Sequence, residues 1–206
     1  MRKTVTSIMG LAVAVAVMFV LWNLWVTSCG RLACSGEPAW WGSVASADSC
    51  PPDAHAAASS ADWAVDTFES LPEREPRGKT TGMWFADSVA TKTIVSGQKI
   101  DNEDDPLWLE AKNLLAAAGI AHPPVGAHPA AAHAETKAAV WMRQQGISYA
   151  VAVINNRTGP CGEETPAPFG CSSAVPALLP TGSTMVVWWW SDRAGTMKST
   201  TYEGTA

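Results

Sequence analysis

The 206-residue chain has a near-average globular composition and a formal net charge of −5 at pH 7. Its length predicts one folded domain with accessory sequence. From Arg77 onward, ten Lys and Arg residues stand against eleven Asp and Glu residues. The net charge of this part of the chain is therefore close to zero, which excludes a broad basic surface for a phosphate backbone. A nucleic-acid substrate would have to be held by a local patch of basic residues. Lys137, Arg143 and Arg157 are the candidates for such a patch, although each is also consistent with an ordinary solvated charge.

Residues 1–28 are predicted to form a signal peptide or a membrane anchor. Met1-Arg2-Lys3 precedes a largely apolar run over residues 5–26, which is about the length of a bilayer-spanning helix. The basic residues predict an orientation in which everything after residue 30 lies across the membrane. Val26-Thr27-Ser28-Cys29 is also similar to a bacterial lipoprotein processing site, which we rank below the anchor and the cleaved signal.

Residues 29–70 are predicted to be a linker, because Gly, Ser, Ala, Pro and Asp dominate. A short helix is predicted within it over residues 62–69, capped by Ser59 or Ser60. Charged residues and two prolines then mark a boundary, and the folded domain is predicted over residues 71–206.

The domain begins with two β-branched and aromatic runs, at residues 81–87 and 91–95, which predict a hairpin. Asp105-Pro106 predicts a helix start, with a cap residue followed by proline in the first turn. An Ala-rich helix is predicted over residues 130–145, with Lys137, Arg143 and Gln144 facing outward. The remaining predicted elements are a buried strand over 147–154, a loop over 155–160, a short helix over 174–179, a strand over 185–190 and an edge strand over 198–202.

This succession of strands and helices predicts an α/β fold, a mixed β-sheet covered by helices and preceded by the N-terminal hydrophobic helix. Trp188, Trp189 and Trp190 lie on one predicted strand, where alternation turns Trp189 to the face opposite its neighbours. At least one of these faces is therefore predicted to be core, and Trp141 is assigned to the core as well.

The pattern that carries chemistry is His133-Ala134-Glu135, followed by Cys161 and Cys171. One imidazole and two thiolates are suitable zinc ligands, and three protein ligands leave a fourth position for water. Glu135 is predicted to move the proton of that water to a departing amine. The pattern is the one that zinc nucleobase deaminases use.

The predicted topology favours convergence of these residues. His133 and Glu135 are predicted in the first turn of one helix, beyond the carboxyl end of a strand, where α/β sheets form ligand sites. His122 and His128 compete with His133 as ligands, but neither is followed two residues later by a carboxylate. The structural alternative is a Cys161–Cys171 disulfide, as export would favour.

Several segments of the chain resemble the bacterial toxin-type cytosine deaminases of DNA, the DddA-like family of double-stranded DNA deaminase toxins in the cytidine deaminase-like superfamily. The resemblance covers roughly residues 78–204. It lies in Thr81-Gly82-Met83-Trp84, Val95-Ser96-Gly97, the run from His133 through Met142-Arg143 to Gly146-Ile147, Ile154-Asn155-Asn156, Gly159-Pro160-Cys161-Gly162, Leu178-Leu179-Pro180 and Gly182-Ser183-Thr184.

The resemblance implies a Zn²⁺ enzyme that converts cytosine in DNA to uracil, with His133, Cys161 and Cys171 as ligands and Glu135 as the proton shuttle. It implies that Asn155 or Asn156 lines the base pocket. The family motif has two residues between the cysteines, whereas residues 162–170 intervene here. Within that long loop, Phe169 is the candidate for a wedge into the base stack, or else an anchor for the loop.

Three functional hypotheses follow. The first is an exported antibacterial toxin for interbacterial competition, held at a membrane by residues 5–26 or secreted, which acts on DNA in the cytoplasm of a target cell. It would need a cognate immunity protein and no nucleotide cofactor. The second is a deaminase of single-stranded DNA, RNA or free nucleoside. The third is a non-catalytic, membrane-tethered binding module with a Cys161–Cys171 disulfide.

Overall fold

The computed structural model describes residues 53–87, 89–120, 126–163 and 169–206. The predicted signal or anchor over residues 1–28, and the predicted linker up to residue 52, lie outside these ranges. None of the helices within the described ranges combines the length and apolar character that a bilayer crossing needs.

A five-stranded mixed sheet forms the centre of the domain, with the strand order β2-β1-β5-β6-β7. β5 and β6 pair in parallel, and the other neighbours pair antiparallel. A two-stranded hairpin of β3 and β4 lies apart from the sheet. The strands are β1 (Thr81–Ala86), β2 (Val89–Val95), β3 (Lys99–Ile100), β4 (Glu103–Asp104), β5 (Tyr149–Ile154), β6 (Thr184–Ser191) and β7 (Thr196–Glu203).

Helices cover both faces of the sheet, which confirms the predicted mixed sheet covered by helices for the described residues. The hydrophobic helix predicted to precede it lies outside them. The helices are α1 (Ala54–Ala58), α2 (Ala61–Ser70), α3 (Pro106–Ala117), α4 (Ala134–Gln145) and α5 (Cys171–Leu178), with a 3-10 turn over Pro129–Ala132.

One face of the sheet is covered by α1 and α2. Ala54 of α1 packs in a cluster with Val151, and Ala64 of α2 packs in a cluster with Val153. The small alanine side chains let both helices approach the sheet closely. The domain boundary predicted near residue 70 therefore differs from the structure, in which the packed region already includes both helices.

The opposite face carries α3, α4 and α5 over the main hydrophobic core. Ala152 of β5 and Trp189 of β6 point into this core, where Trp141 of α4 is also buried. Trp188 and Trp190 belong instead with the residues under α1 and α2. The predicted division of the three tryptophans between the two faces is thus confirmed.

The structure departs from the predicted helix over residues 130–145 in two ways. Residues 129–132 form the 3-10 turn, and His133 is extended, with φ −78° and ψ 150°, so that the α-helix begins at Ala134. The prediction that Lys137 faces outward is wrong. Its side chain is buried and paired with Asp105, a residue 32 positions earlier in the chain.

Candidate metal centre

His133, Cys161 and Cys171 reach one point from three different elements. His133 occupies the N-cap position of α4. Cys161 lies in the segment that follows β5, and Cys171 is the first residue of α5. Because both helices begin at this end of the sheet, their first residues lie beside the segment that leaves the carboxyl end of β5.

The three side chains form a compact triangle of donor atoms. The His133 Nδ1 atom lies 3.2 Å from the Sγ atoms of both Cys161 and Cys171. The two Sγ atoms are 3.5 Å apart. Both cysteines are free thiols, since a disulfide bond is about 2.0 Å long. The structure therefore does not contain the Cys161–Cys171 disulfide that was the structural alternative.

The donor triangle fits a zinc ion in chemistry and in size. Tetrahedral coordination at the usual Zn–S and Zn–N distances separates two sulfurs by about 3.8 Å, and a sulfur from a nitrogen by about 3.6 Å. The observed separations are slightly tighter than these values. Among the described residues, His133, Cys161 and Cys171 are the group that could hold a metal ion.

Hydrogen bonds, charges and burial shift the pKa values of the two thiols in opposite directions. The Cys161 sulfur accepts a hydrogen bond from the Cys171 backbone N–H at 3.1 Å. The hydrogen bond from the Cys171 side chain, and then the hydrogen bond and charge of His133, lower the pKa of Cys161 to about 4 against the effect of burial. The pKa of Cys171 is raised by the hydrogen bond between its side chain and that of Cys161, and by burial. A divalent cation in the triangle would favour both thiolates.

His133 becomes easier to protonate in this environment. Burial alone would lower its pKa, but the hydrogen bond and charge of Cys161, together with the charge of Glu135, raise the pKa of His133 overall. Acidic groups of Cys161 and Glu135 thus lie near the ring, as expected of a site that accommodates a cation.

Glu135 lies beside the triangle without being part of it. The residue is only 3% exposed, and its Oε2 atom lies 3.8 Å from the Cys171 sulfur. Burial raises the pKa of Glu135, opposed by the charge of His133 and a backbone hydrogen bond. A buried carboxyl group next to the donor atoms can exchange protons with whatever occupies the centre.

The approach to Cys161 depends on a close backbone contact. Gly159 has φ +72°, and a Cβ atom there would lie 2.6 Å from the indole of Trp189. The chain can therefore pass over the indole just before Cys161 only with glycine at this position.

Two residues near the centre escaped the sequence analysis. The Tyr202 hydroxyl, from β7, donates a 2.9 Å hydrogen bond to Oε1 of Glu163, two residues beyond Cys161. Tyr202 is buried on the sheet face that carries α3, α4 and α5. Burial, and then the charges of Cys171, Glu163 and Glu135, raise its pKa. Strand alternation could have placed Tyr202 on this face, but no sequence signal pointed to its partner.

The competing histidines and Phe169 have other surroundings. His122 lies outside the described residues. The buried His128 caps the 3-10 turn, where its Nδ1 accepts a hydrogen bond from the Ala130 N–H at 3.2 Å. The half-buried Phe169 ring meets the His128 ring edge to face, with centroids 6.3 Å apart. This contact favours the role of loop anchor for Phe169 over that of a wedge.

Both predicted base-pocket residues have their amide groups engaged within the domain. Asn155 is buried. Its Oδ1 accepts from the Thr81 N–H at 2.8 Å, and its Nδ2 donates to the Pro72 carbonyl at 2.8 Å. Asn156 donates to the Gly159 carbonyl and accepts from Arg74. Their contact with a base stays a prediction.

The three cations considered for a basic patch all have partners within the domain. Lys137 is buried, and Arg143 donates from Nε to the Leu178 carbonyl at 3.0 Å. Arg157 is exposed and pairs with Asp192 at 2.8 Å. Two of these three cations are therefore engaged inside the domain, and the third is paired at its surface.

Comparison with known protein families identifies a deaminase family. The family model described as SCP1.201-like deaminase matches residues 55–205, which is most of the chain and includes the whole donor triangle. A search of curated proteins gives no match.

Proposed function

This chain belongs to the SCP1.201-like deaminase family, and on that premise we propose that it is a zinc-dependent enzyme that hydrolyses the amino group of cytosine in DNA, leaving uracil. Family membership implies a hydrolytic deaminase. The observation that carries the proposal is the triangle of His133, Cys161 and Cys171 with the buried Glu135 carboxyl beside it.

The three ligand residues would hold Zn²⁺ through Nδ1 of His133 and the two thiolate sulfurs. Bound there, Zn²⁺ would supply Lewis-acid chemistry that brings the pKa of a water molecule toward neutrality. The chain keeps the donors together with backbone contacts. The Cys171 N–H donates both to the Cys161 sulfur and, at 2.8 Å, to the Cys161 carbonyl.

Glu135 carries the protons in this proposal. Its carboxylate would take a proton from the attacking water as the new C–O bond forms at C4 of cytosine. It would pass this proton to the ring nitrogen N3. It would then take the second proton, from the new hydroxyl group on C4, and pass it to the amino group, so that the C4–N bond breaks, the C4=O group of uracil forms and ammonia leaves. Burial of Glu135 excludes competing solvent from this exchange.

The choice of DNA as substrate is supported by the sequence resemblance over residues 78–204, and duplex DNA is the form that the resemblance favours. The biological role proposed with it is an exported antibacterial toxin, countered in the producing cell by an immunity protein. The basic and then apolar sequence of residues 1–28 supports export. A DNA deaminase outside its own cytoplasm can reach substrate only in another cell.

A substrate panel with metal analysis tests the proposal. The full-length chain is incubated with duplex DNA, single-stranded DNA, RNA and cytidine, and the nucleic acids are sequenced for cytosine-to-uracil changes. We expect one zinc per chain and deamination of DNA. Deamination confined to RNA or to free cytidine would contradict the DNA assignment. A zinc-free protein that deaminates none of the four would contradict the enzyme assignment.

A further inference from the structure

A buried ion pair lies one helical turn beyond His133 and takes no part in the proposed chemistry. Lys137 of α4 is 1% exposed, and its Nζ pairs with Oδ2 of Asp105, which is also 1% exposed. Lysine and aspartate are rarely buried so completely. Removing two charges from water is costly, and this cost can exceed the attraction between them. A buried ion pair therefore does not by itself indicate that the fold is stabilised. Its location therefore calls for another explanation.

The same ammonium reaches a peptide group that contacts the turn before His133. Lys137 Nζ donates to the carbonyl oxygen of Gly97 at 3.3 Å. The Gly97 N–H donates to the carbonyl oxygen of Ala132 at 2.7 Å. Gly97 thus contacts the chain immediately before His133 and again four residues after it.

Asp105 connects this contact to the rest of the domain. Its Oδ1 accepts from the Leu107 N–H at 2.8 Å and caps α3, while its own N–H donates to the Gln98 carbonyl at 2.8 Å. The ammonium of Lys137 therefore joins three segments: the chain after β2, the start of α3 and the first turns of α4.

His133 needs such support because its own side chain makes no capping hydrogen bond to α4. Its extended backbone is fixed by neighbouring contacts instead. Its N–H donates to the Ala130 carbonyl at 2.9 Å, and its carbonyl accepts from the Lys137 N–H at 3.1 Å. Thr136 adds a hydroxyl bond to the His133 carbonyl at 2.9 Å.

We propose that Lys137 is a positioning residue that holds the His133 turn against Gly97, so that the imidazole is placed in advance for metal binding. The inference rests on the proposed function only in its consequence for zinc, because the geometry of the turn can be measured without metal. Residues that orient a metal ligand typically contribute 10- to 100-fold to metal affinity.

The test replaces both charges at once in the full-length chain. Lys137→Met alone would leave a buried carboxylate without its partner and endanger folding, so it is combined with Asp105→Asn. Asparagine is also a favoured N-cap residue, which keeps the cap of α3. Lys92→Met on the exposed surface of β2 is the matched control.

Two measurements are made on the parent, the double variant and the control. In the metal-free proteins, we expect amide hydrogen exchange over residues 130–137 to be faster in the double variant alone. Zinc affinity, measured by chelator competition, is expected to fall 10- to 100-fold. The absorption spectrum of the Co²⁺-loaded double variant is expected to shift, because the donor geometry changes.

The outcomes separate this inference from the proposed function. Unchanged exchange over residues 130–137 in the metal-free double variant would overturn the positioning role, whatever the zinc result. Parental zinc affinity in a folded double variant would overturn it as well. Absence of zinc binding by the parent chain would instead overturn the proposed function, and the exchange measurement would still decide the role of Lys137.

Discussion

Replacing Glu135 with glutamine is the sharpest test of the chemistry proposed for the centre. The amide keeps the size of the side chain but cannot shuttle a proton. Loss of a positioned acid–base group typically costs 10²- to 10⁴-fold in rate. We expect the upper end, because Glu163, the acidic residue that follows Cys161 most closely, is engaged by the Tyr202 hydroxyl. A loss of about 10⁴-fold corresponds to about 5.4 kcal/mol of activation free energy.

Zinc content must survive this substitution if the roles are assigned correctly. His133, Cys161 and Cys171 remain in both Glu135→Gln and Glu135→Ala, so each variant is expected to bind one zinc per chain. The rate is measured under single-turnover conditions with a labelled oligonucleotide that is cleaved at uracil.

Glu69→Gln, on the exposed surface of α2, is the matched control. A Glu135→Gln rate within about tenfold of the parent, less than the smallest effect expected of such a group, would refute the proton-shuttle role. Loss of zinc would show that Glu135 is a ligand.

Three further substitutions test the surroundings of the centre. Gly159→Ala is expected to weaken zinc binding, because its Cβ would collide with the Trp189 indole; an unchanged affinity in chelator competition would contradict this reading. Tyr202→Phe is expected to cost about 1 kcal/mol of unfolding free energy in urea denaturation, through loss of the bond to Glu163. An unchanged midpoint would show that the bond contributes nothing to stability. Asn155→Ala is expected to cost about 2–4 kcal/mol, because two main-chain partners lose their hydrogen bonds. Parental stability with a raised KM would favour the base-pocket role instead.

Local signals in the sequence predicted much of the fold. Asp105 before Pro106 predicted the start of α3, and the structure confirms both the cap and its hydrogen bond. Ser60, one of two candidates, is the cap of α2. These predictions succeeded because a cap and a helix start depend on residues a few positions apart.

Contacts between distant segments could not be predicted in this way. Helical periodicity places Lys137 at the surface, because it does not reveal an acidic partner 32 residues earlier. The sequence also does not show that main-chain groups of Thr81 and Pro72 are hydrogen-bonded to the amide of Asn155. The bond between Tyr202 and Glu163 was missed for the same reason.

Most of the candidate metal centre could be predicted from the sequence, because its residue types are few and their chemistry is specific. The structure brings His133, Cys161 and Cys171 within 3.5 Å of one another, despite nine residues between the cysteines. What the sequence did not reveal is the break in the helix at His133. Its extended backbone is accompanied by a hydrogen bond from the His133 N–H to the Ala130 carbonyl, and by one from the Gly97 N–H to the Ala132 carbonyl.

The layer formed by α1 and α2 has a practical consequence for handling the protein. A chain shortened to begin at residue 71 would expose the sheet face that includes Val151, Val153 and the two outer tryptophans of β6. Contiguous apolar surface of this kind promotes self-association in water. The two helices carry none of the candidate metal ligands, yet they shield the apolar residues of this sheet face from water. Shortened chains should therefore start ahead of Asp53, whose side chain caps α1.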